Sequence, residues 1–295
     1  MYDEYRDRDA IVSTEWLQQH LHDPGVRVFE CTTYLLYRPP GSDAPYDVGS
    51  GRADYASQHI AGAAFLDLQN DLSDCDSPPH LRFRMLPLPD LARAFARQGI
   101  GDGLRVVLYT RGAMQWATRV WWMLRAVGFD TASVLDGGFE KWQREGRPLA
   151  SGAQRYAEAS LTPRPRPELF VDKAQVRAAM DDRSCRLINA LAADLHRGDN
   201  ARYGRPGHIP GSVNLPAAAL IDPTHNTVLA PAAVRDAFDA AGVDPAGPTL
   251  VYCGGGIAAT LDAFLMHQLG YAEVSVYDAS MSEWARDESL PMETG

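Results

Sequence analysis

The 295-residue chain lacks several features that would place a protein in a class at once. It has few cysteines, and no two of them stand at the spacing of metal ligands; the four are Cys31, Cys75, Cys185 and Cys253. Neither a disulfide framework nor a zinc site is indicated by such scattered thiols. We therefore expect no metal, and a reducing, cytoplasmic location.

Long apolar runs and an excess of basic residues are also missing. No stretch approaches the apolar length that a membrane-spanning helix needs, and residues 1–9 lack the basic-then-apolar pattern of a secretion signal. The formal net charge is −10, because 38 Asp and Glu outnumber 28 Lys and Arg. Nucleic acid binds basic surfaces, so neither nucleic acid nor a membrane is an expected partner.

What is present is an ordinary globular composition, with 45% hydrophobic and 22% charged residues, in a chain long enough for two cores. Strand-like runs, such as residues 105–109, alternate with helix-like runs, such as residues 116–127. Such alternation favours α/β domains, each a mostly parallel sheet flanked by helices. The stretch from Tyr37 to Arg52 is rich in Pro, Gly, Ser and Asp, which predicts a long surface loop.

The second half of the chain repeats the motif order of the first. His208-Ile-Pro-Gly follows His59-Ile-Ala-Gly by 149 positions, and Val276-Tyr-Asp follows Val134-Leu-Asp by 142 positions. Matched order over that length indicates an internal duplication. We predict two tandem domains, residues 1–150 and 169–295, joined by a linker at 151–168 that contains a stiff proline-rich segment.

The candidate chemistry lies at Cys253. Residues 249–252 form a short apolar run, three glycines follow the cysteine, and a helix-like segment extends to Leu269. Glycines let the backbone curl so that N–H groups converge on one spot, and the helix directs its positive end there. A thiolate at that spot is stabilised, which predicts Cys253 as a nucleophile. The predicted binding residues of its main-chain cradle are Gly254, Gly255, Gly256, Ile257 and Ala258.

Two simpler interpretations compete with this one. A cysteine at the end of a buried strand is more often a small core residue, and a glycine-rich loop before a helix often serves a turn or binds phosphate. The duplication supplies a control, because the first half has Thr110 in register with Cys253 and only Gly112 from the glycine cluster. Thiol and glycines are lost together, which favours a functional role for both.

Together, six motifs of the chain resemble those of the tandem-domain rhodanese and mercaptopyruvate sulfurtransferase family. They are His59-Ile60-x-Gly62-Ala63, residues 119–124, 135–138, 207–212 and 252–257, and Ser282-Glu283-Trp284 with the terminal residues 291–295. The resemblance implies two rhodanese-like domains, of which the second is catalytic and neither needs a cofactor. It implies an enzyme that moves a sulfane sulfur from thiosulfate or 3-mercaptopyruvate to cyanide or a thiol through a persulfide on Cys253.

The chain departs from the family pattern where arginines normally hold the donor. Residues 189–191 read Asn-Ala-Leu instead of Asp-Ala-Arg, and Leu195 stands where a second arginine is usual. Arg197, with His196 beside it, is the nearest substitute, and we predict that these two bind the substrate. A solvated loop charge is an equally good interpretation of Arg197.

Because the family arginines are missing, a second function competes with that of an enzyme acting on small sulfur donors. A persulfide carrier that receives sulfur from a protein donor would not need clamps for small donors. A cysteine phosphatase is disfavoured, because Ala259 stands where a Cys-x5-Arg loop needs its arginine. His59 and His208 occur in both halves, although only one half has a nucleophile, so a turn-stabilising role is predicted for them.

Overall fold

A computed structural model describes residues 5–7, 9–182 and 184–295. The prediction that the N-terminus lacks a secretion signal depends in part on residues 1–4 and 8, which lie outside the described residues. Among the described helices, none combines the length and the apolar character that a bilayer crossing requires.

The β-strands of the first half are β1 (Ile11–Val12), β2 (Val26–Glu30), β3 (Thr33–Tyr37), β4 (Tyr46–Ser50), β5 (His59–Ile60), β6 (Ala64–Phe65), β7 (Arg105–Tyr109), β8 (Ala132–Leu135) and β9 (Leu149–Ala150). Five of these strands form a parallel sheet with strand order β1-β8-β7-β2-β6. The α-helices of the first half are α1 (Thr14–His20), α2 (Arg52–Ser57), α3 (Leu68–Asp71), α4 (Leu88–Arg97), α5 (Gln115–Ala126) and α6 (Gly138–Arg144).

The β-strands of the second half are β10 (Phe170–Val171), β11 (Arg186–Asn189), β12 (Val213–Asn214), β13 (Ile221–Asp222), β14 (Thr227–Val228), β15 (Pro248–Tyr252) and β16 (Glu273–Tyr277). Five of them repeat the sheet of the first half, again parallel, with strand order β10-β16-β15-β11-β12. The α-helices of the second half are α7 (Lys173–Asp181), α8 (Ala193–Arg197), α9 (Pro231–Ala240), α10 (Ala259–Gln268) and α11 (Ser280–Trp284). The sequence duplication is therefore also a duplication of sheet topology.

Helices α5 and α10 join the two halves. Every residue of α10 except His267 is buried, including the polar Thr260, Asp262 and Gln268. The rings of Trp121 and Phe264 meet edge to face with centroids 4.7 Å apart, and the hydroxyls of Thr118 and Thr260 are 3.0 Å apart. One hydrophobic core contains residues of both halves, so the two halves pack directly against each other.

The prediction of a long loop from Tyr37 to Arg52 is wrong. Strand β4 occupies Tyr46–Ser50 and pairs antiparallel with β3, and α2 begins at Arg52. Only positions 38–45, between the two strands, form the connecting turn; β4 pairs with β3 although it contains Asp47, Gly49 and Ser50, since its partner strand is rich in aromatic and branched side chains that suit a sheet. This hairpin brings aromatic side chains of the first half to the junction.

The predicted linker crosses the surface of the first half without a helix or strand from residue 151 to 166. Its backbone is held there by hydrogen bonds from Arg164 N to Val127 O (2.8 Å) and from Arg166 N to Ala126 O (2.7 Å). Gly128 has a φ of +88°, and a Cβ at this position would collide with Arg164, so glycine is required where the linker crosses. The domain limits 1–150, 151–168 and 169–295 remain a prediction.

Candidate active site

Cys253 lies directly after β15, at the carboxyl edge of the second sheet, and α10 begins six residues later. This edge is where open α/β sheets usually bind ligands. The residue is only 2% exposed, but it lines a cavity of about 340 Å³ that has walls from both halves. The cysteine is therefore buried against a cleft and is not sealed inside the core.

Ser280 organises the loop around Cys253. Its Oγ accepts hydrogen bonds from Cys253 N (3.0 Å) and Gly256 N (3.2 Å) and donates one to Tyr277 O (2.7 Å). Ser280 has a φ of +51°, a strained conformation for a residue with a side chain. The sequence offered no direct signal for this role, although Ser280 lies two residues before Ser282, where the Ser-Glu-Trp motif begins.

The remaining loop amides are free to bind a ligand. Within the described residues, the N–H groups of Gly254, Gly255, Ile257 and Ala258 have no hydrogen-bond partner. The amide of Gly256, which was also predicted to bind, is instead committed to Ser280. Four unpartnered donors next to a thiol provide a site for negative charge.

A side chain at each of the three glycine positions of the loop would meet different contacts. A Cβ at Gly254 would collide with the Tyr203 hydroxyl, and one at Gly256, where φ is +69°, would collide with Asp278 O. For a Cβ at Gly255, the nearest atom would be the Tyr46 hydroxyl oxygen at 2.9 Å, and the next atoms would be 3.8 Å away. Packing therefore requires the first and third glycines, whereas the second keeps space open beneath Tyr46.

The cavity walls are mainly aromatic and apolar. The hairpin β3–β4 and α5 contribute Leu35, Tyr37, Tyr46 and Trp116, and the second half contributes Leu191, Leu195 and Tyr203. Burial raises the pKa of Tyr46 and of Tyr203, so both phenols keep their protons at neutral pH. Each can therefore donate a hydrogen bond to an anionic ligand.

Arg202 is the only basic side chain among the described residues that line this cavity. Its guanidinium carbon lies 3.9 Å from the centre of the Tyr37 ring, a cation–π contact that holds the charge at the rim. Sequence reasoning missed this residue, because it lies in a loop without a motif. Only the fold brings it to Cys253.

Two comparisons with known proteins agree with this geometry. Residues 13–145 and 173–287 each match the Rhodanese-like domain family. The chain belongs to this family. It is 32% identical over 288 residues to 3-mercaptopyruvate sulfurtransferase of Escherichia coli strain K12, covering 96% of this chain and 97% of that protein. It is 31% identical over 285 residues to the human 3-mercaptopyruvate sulfurtransferase, covering 93% of this chain and 91% of that protein.

Among solved structures, SseA from Escherichia coli, a 3-mercaptopyruvate sulfotransferase with the rhodanese fold, superposes with a TM-score of 0.78. The two sequences are 27% identical, and the alignment covers 92% of this chain and 98% of SseA. The predicted tandem rhodanese-like fold and the predicted enzyme class, a sulfurtransferase, are thereby confirmed.

The first rhodanese-like domain has the same strand pair but no cradle. Glu30 and Tyr109 are paired there as Asn189 and Tyr252 are in the second domain. Two residues after Tyr109, the guanidinium of Arg111 binds Glu30 (2.9 Å) and lies 3.5 Å from the centre of the Phe139 ring. An arginine and a buried acid thus occupy the edge that carries a thiol and free amides in the sister domain.

The structure does not bring Arg197 and His196 to the Cys253 cavity. Arg197 is exposed and pairs with Asp199 (2.7 Å), as a solvated loop charge would. The His196 ring stacks on His208 with centroids 3.7 Å apart. Burial, reinforced by His208, lowers the pKa of His196 to about 4, so it is neutral at physiological pH.

The histidines of the repeated motif hold turns in both rhodanese-like domains. His59 Nδ1 bonds to Tyr55 O (2.8 Å), and His208 Nδ1 bonds to His196 O (2.7 Å). Both side chains are buried, and neither is among the residues that line the Cys253 cavity. These contacts are those expected for the predicted turn-stabilising role.

Arg119 of the first domain reaches across the junction to the Cys253 loop. It is fully buried, and its guanidinium donates to Gly256 O (3.1 Å) and Phe83 O (2.9 Å) and pairs with Asp278. The sequence showed Arg119 only as part of a family motif. In the structure it contacts the loop directly, so the first domain contributes to the site although it lacks a thiol.

Proposed function

We propose that Cys253 carries the sulfur that this sulfurtransferase moves, and that 3-mercaptopyruvate is the preferred donor. The observation that carries the proposal is the location of the thiol: Cys253 lines an interdomain cavity with one basic side chain, and the loop that follows it has four unpartnered amides.

The proposed reaction has two steps. The Cys253 thiolate attacks the sulfur of 3-mercaptopyruvate, an S–S bond forms, and the C–S bond breaks with its electron pair moving to carbon. The resulting enolate takes up a proton to become pyruvate, and Cys253 is left as a persulfide. Cyanide or a thiolate then attacks the outer sulfur, the S–S bond breaks, and the Cys253 thiolate is regenerated.

The protein groups have distinct roles in these steps. The amides of Gly254, Gly255, Ile257 and Ala258 stabilise the charge on the outer sulfur, as preorganised donors do. The protonated hydroxyls of Tyr46 and Tyr203 are available to the enolate oxygen.

The charge and polarity of the cavity favour an organic donor. Arg202 can pair with the single carboxylate of 3-mercaptopyruvate, and the aromatic walls accept its carbon skeleton. Thiosulfate carries two negative charges and has no apolar part, so this cavity would leave much of its charge uncompensated.

The first test compares the two donors. Cyanide-dependent release of thiocyanate should show a kcat/KM for 3-mercaptopyruvate at least about tenfold above that for thiosulfate, a difference of roughly 1.4 kcal/mol in transition-state binding. A preference for thiosulfate would refute the donor assignment. Turnover with neither donor, together with persulfide formation by a cysteine desulfurase, would instead support the carrier function.

The role of Arg202 is tested by a matched pair of variants. Arg202→Gln should raise KM for 3-mercaptopyruvate by about tenfold with a smaller change in kcat, because a charge-assisted contact to the carboxylate is lost. Arg197→Gln, five residues away, should behave like the wild type, because that side chain pairs with Asp199 outside the cavity. Equal losses in the two variants, or a loss only in the second, would contradict the assignment.

A protein sulfur donor is the second candidate for the partner. The hairpin strand β3 exposes 62% of Leu36 and 55% of Tyr37, and Tyr37 also lines the cavity. An apolar rim of this kind suits a protein that presents a persulfide to Cys253.

A reducing, cytoplasmic location is proposed because the four cysteines are free thiols.

A further inference from the structure

We propose that the preferred acceptor of the sulfur is a small organic thiol with an apolar substituent, and that Leu191 and Leu195 select it. This inference rests on the proposed function, because it concerns the second step of the same reaction. The observation behind it is that both leucines line the Cys253 cavity, on the wall that the second domain contributes.

Donor and acceptor use this cavity in turn. Because the sulfur is held covalently on Cys253 between the two steps, pyruvate can leave before the acceptor enters. The cavity volume of about 340 Å³ falls in the range of roughly 300–1,000 Å³ that accommodates ligands much larger than pyruvate. The chemistry of the walls therefore indicates which acceptor fits.

The polar groups of the cavity are concentrated at the reacting sulfur. The hydroxyl of Tyr46 lies against Gly255 and that of Tyr203 lies against Gly254, in the loop that follows Cys253. These hydroxyls and the loop amides suit the charge of the sulfur and of the leaving enolate. They leave the other walls to contact the rest of the ligand.

Those other walls are mainly apolar. Leu195 is 6% exposed and Trp116 is 5% exposed, and the partly buried Leu191 packs against the hydrophobic core. No acidic side chain is found among the described residues that line the cavity, and Gln115 and Arg202 are the polar ones besides the tyrosines and the thiol. An apolar substituent would lose water favourably against the leucines, whereas a charged or hydroxylated one would lose hydration there without compensation.

Hydrogen bonds fix the segment that carries both leucines. Leu191 N donates to Asn189 Oδ1 (3.0 Å), and Asn214 Nδ2 donates to Leu191 O (2.8 Å). Asn189 Nδ2 also lies 3.1 Å from Nδ1 of His196, which follows Leu195 in α8. The wall is thus preorganised, as selection between acceptors requires.

The transfer step is balanced without a further reactant. The acceptor thiol loses its proton, and its sulfur attacks the outer sulfur of the Cys253 persulfide. A new S–S bond forms while the bond to Cys253 breaks, and the electron pair of the broken bond moves to the Cys253 sulfur. The transferred sulfur takes up a proton, so the products are the hydropersulfide of the acceptor and the Cys253 thiolate.

The test follows the second step alone. The full chain is loaded with sulfur by whichever of the two small donors reacts, freed of donor, and mixed with ethanethiol, 1-propanethiol or 1-butanethiol. Mass spectrometry then measures how fast Cys253 loses the added sulfur. These thiols have nearly the same pKa, so their intrinsic reactivity is matched and only the apolar substituent changes.

The rate constant should rise about threefold with each added methylene, because each one is buried against the apolar wall. A rate that does not rise with chain length, measured on a persulfide that cyanide does discharge, would overturn this inference and leave the proposed function intact. Failure of Cys253 to hold the added sulfur would overturn both.

Variants show whether the two leucines make the selection. Leu191→Asn nearly preserves the volume of the side chain but makes it polar, so the rise per methylene should fall to about 1.5-fold or less. Leu195→Asn should have the same effect. Each rise is a ratio of rates within one loaded protein, so a partial loss of folded protein cannot imitate it.

Leu149→Asn is the matched control. Leu149 is likewise a partly buried leucine that packs against a hydrophobic core, but it lies in the first domain and is not among the residues that line the cavity. This variant should keep the dependence of the wild type on chain length. An equal dependence in the Leu191, Leu195 and Leu149 variants would refute the role of the cavity leucines.

Discussion

Replacing Cys253 by serine should abolish sulfur transfer, with a fall in kcat on the order of a thousandfold or more, because a serine hydroxyl cannot form the persulfide. Thiocyanate release measures the loss. Mass spectrometry after treatment with 3-mercaptopyruvate, without acceptor, should show one added sulfur atom on Cys253 in the wild type and none in the variant.

Cys185→Ser is the matched control for this experiment. Cys185 lies just before β11, at the amino edge of the same sheet, and it is a free, partly buried thiol. Burial raises the pKa of Cys185, so little of it is thiolate at neutral pH. If both serine variants lost activity equally, the assignment of Cys253 as the nucleophile would fail.

Replacing Gly255 by valine should lower turnover on the order of a hundredfold while the protein still folds. The backbone of Gly255 is outside the left-handed region, so a side chain is allowed there. The new Cβ would lie 2.9 Å from the Tyr46 hydroxyl, and the two methyl groups would take up space beside Cys253. Steady-state kinetics and thermal unfolding separate the effect on activity from the effect on the fold.

Gly247→Val provides the comparison for the Gly255 variant. Gly247 lies in the same domain, immediately before β15, and a Cβ there would make an ordinary contact with Asp244 at 3.5 Å. This variant should keep near-normal turnover. Normal turnover in Gly255→Val as well would mean that the loop does not hold the substrate.

The candidate site could be predicted in part because its main components are adjacent in sequence. A strand, a cysteine, three glycines and a helix are local features, and their order defines a backbone cradle before any tertiary contact is known. The components that were missed are distant in sequence. Arg119 reaches the loop from α5, and Ser280 holds two of its amides from 24 to 27 residues away.

The residues that bind the substrate were also mispredicted, because they are not the ones that lie closest in sequence. Arg197 was chosen because it stands close in sequence to the missing family arginines, but its side chain turns to Asp199. Arg202 lies at the cavity because Tyr37 stacks on it, and Tyr37 belongs to a hairpin that composition had marked as a loop. Arg197 ends α8 whereas Arg202 lies in the segment that follows, so closeness in sequence did not predict which arginine reaches the cavity.

By itself, the sequence determined the two parallel α/β domains, their duplication and the strand–loop–helix that carries Cys253. Hydrophobic periodicity and glycine spacing act through neighbouring residues, so a linear pattern is enough to specify them. Only the tertiary structure decided which amides remain open, which arginine reaches the thiol and which aromatic rings enclose it. Those features depend on contacts between segments that are distant in sequence, because Ser280 reaches the loop from beyond α10, the two domains pack through α5 and α10, and the cavity forms where they meet.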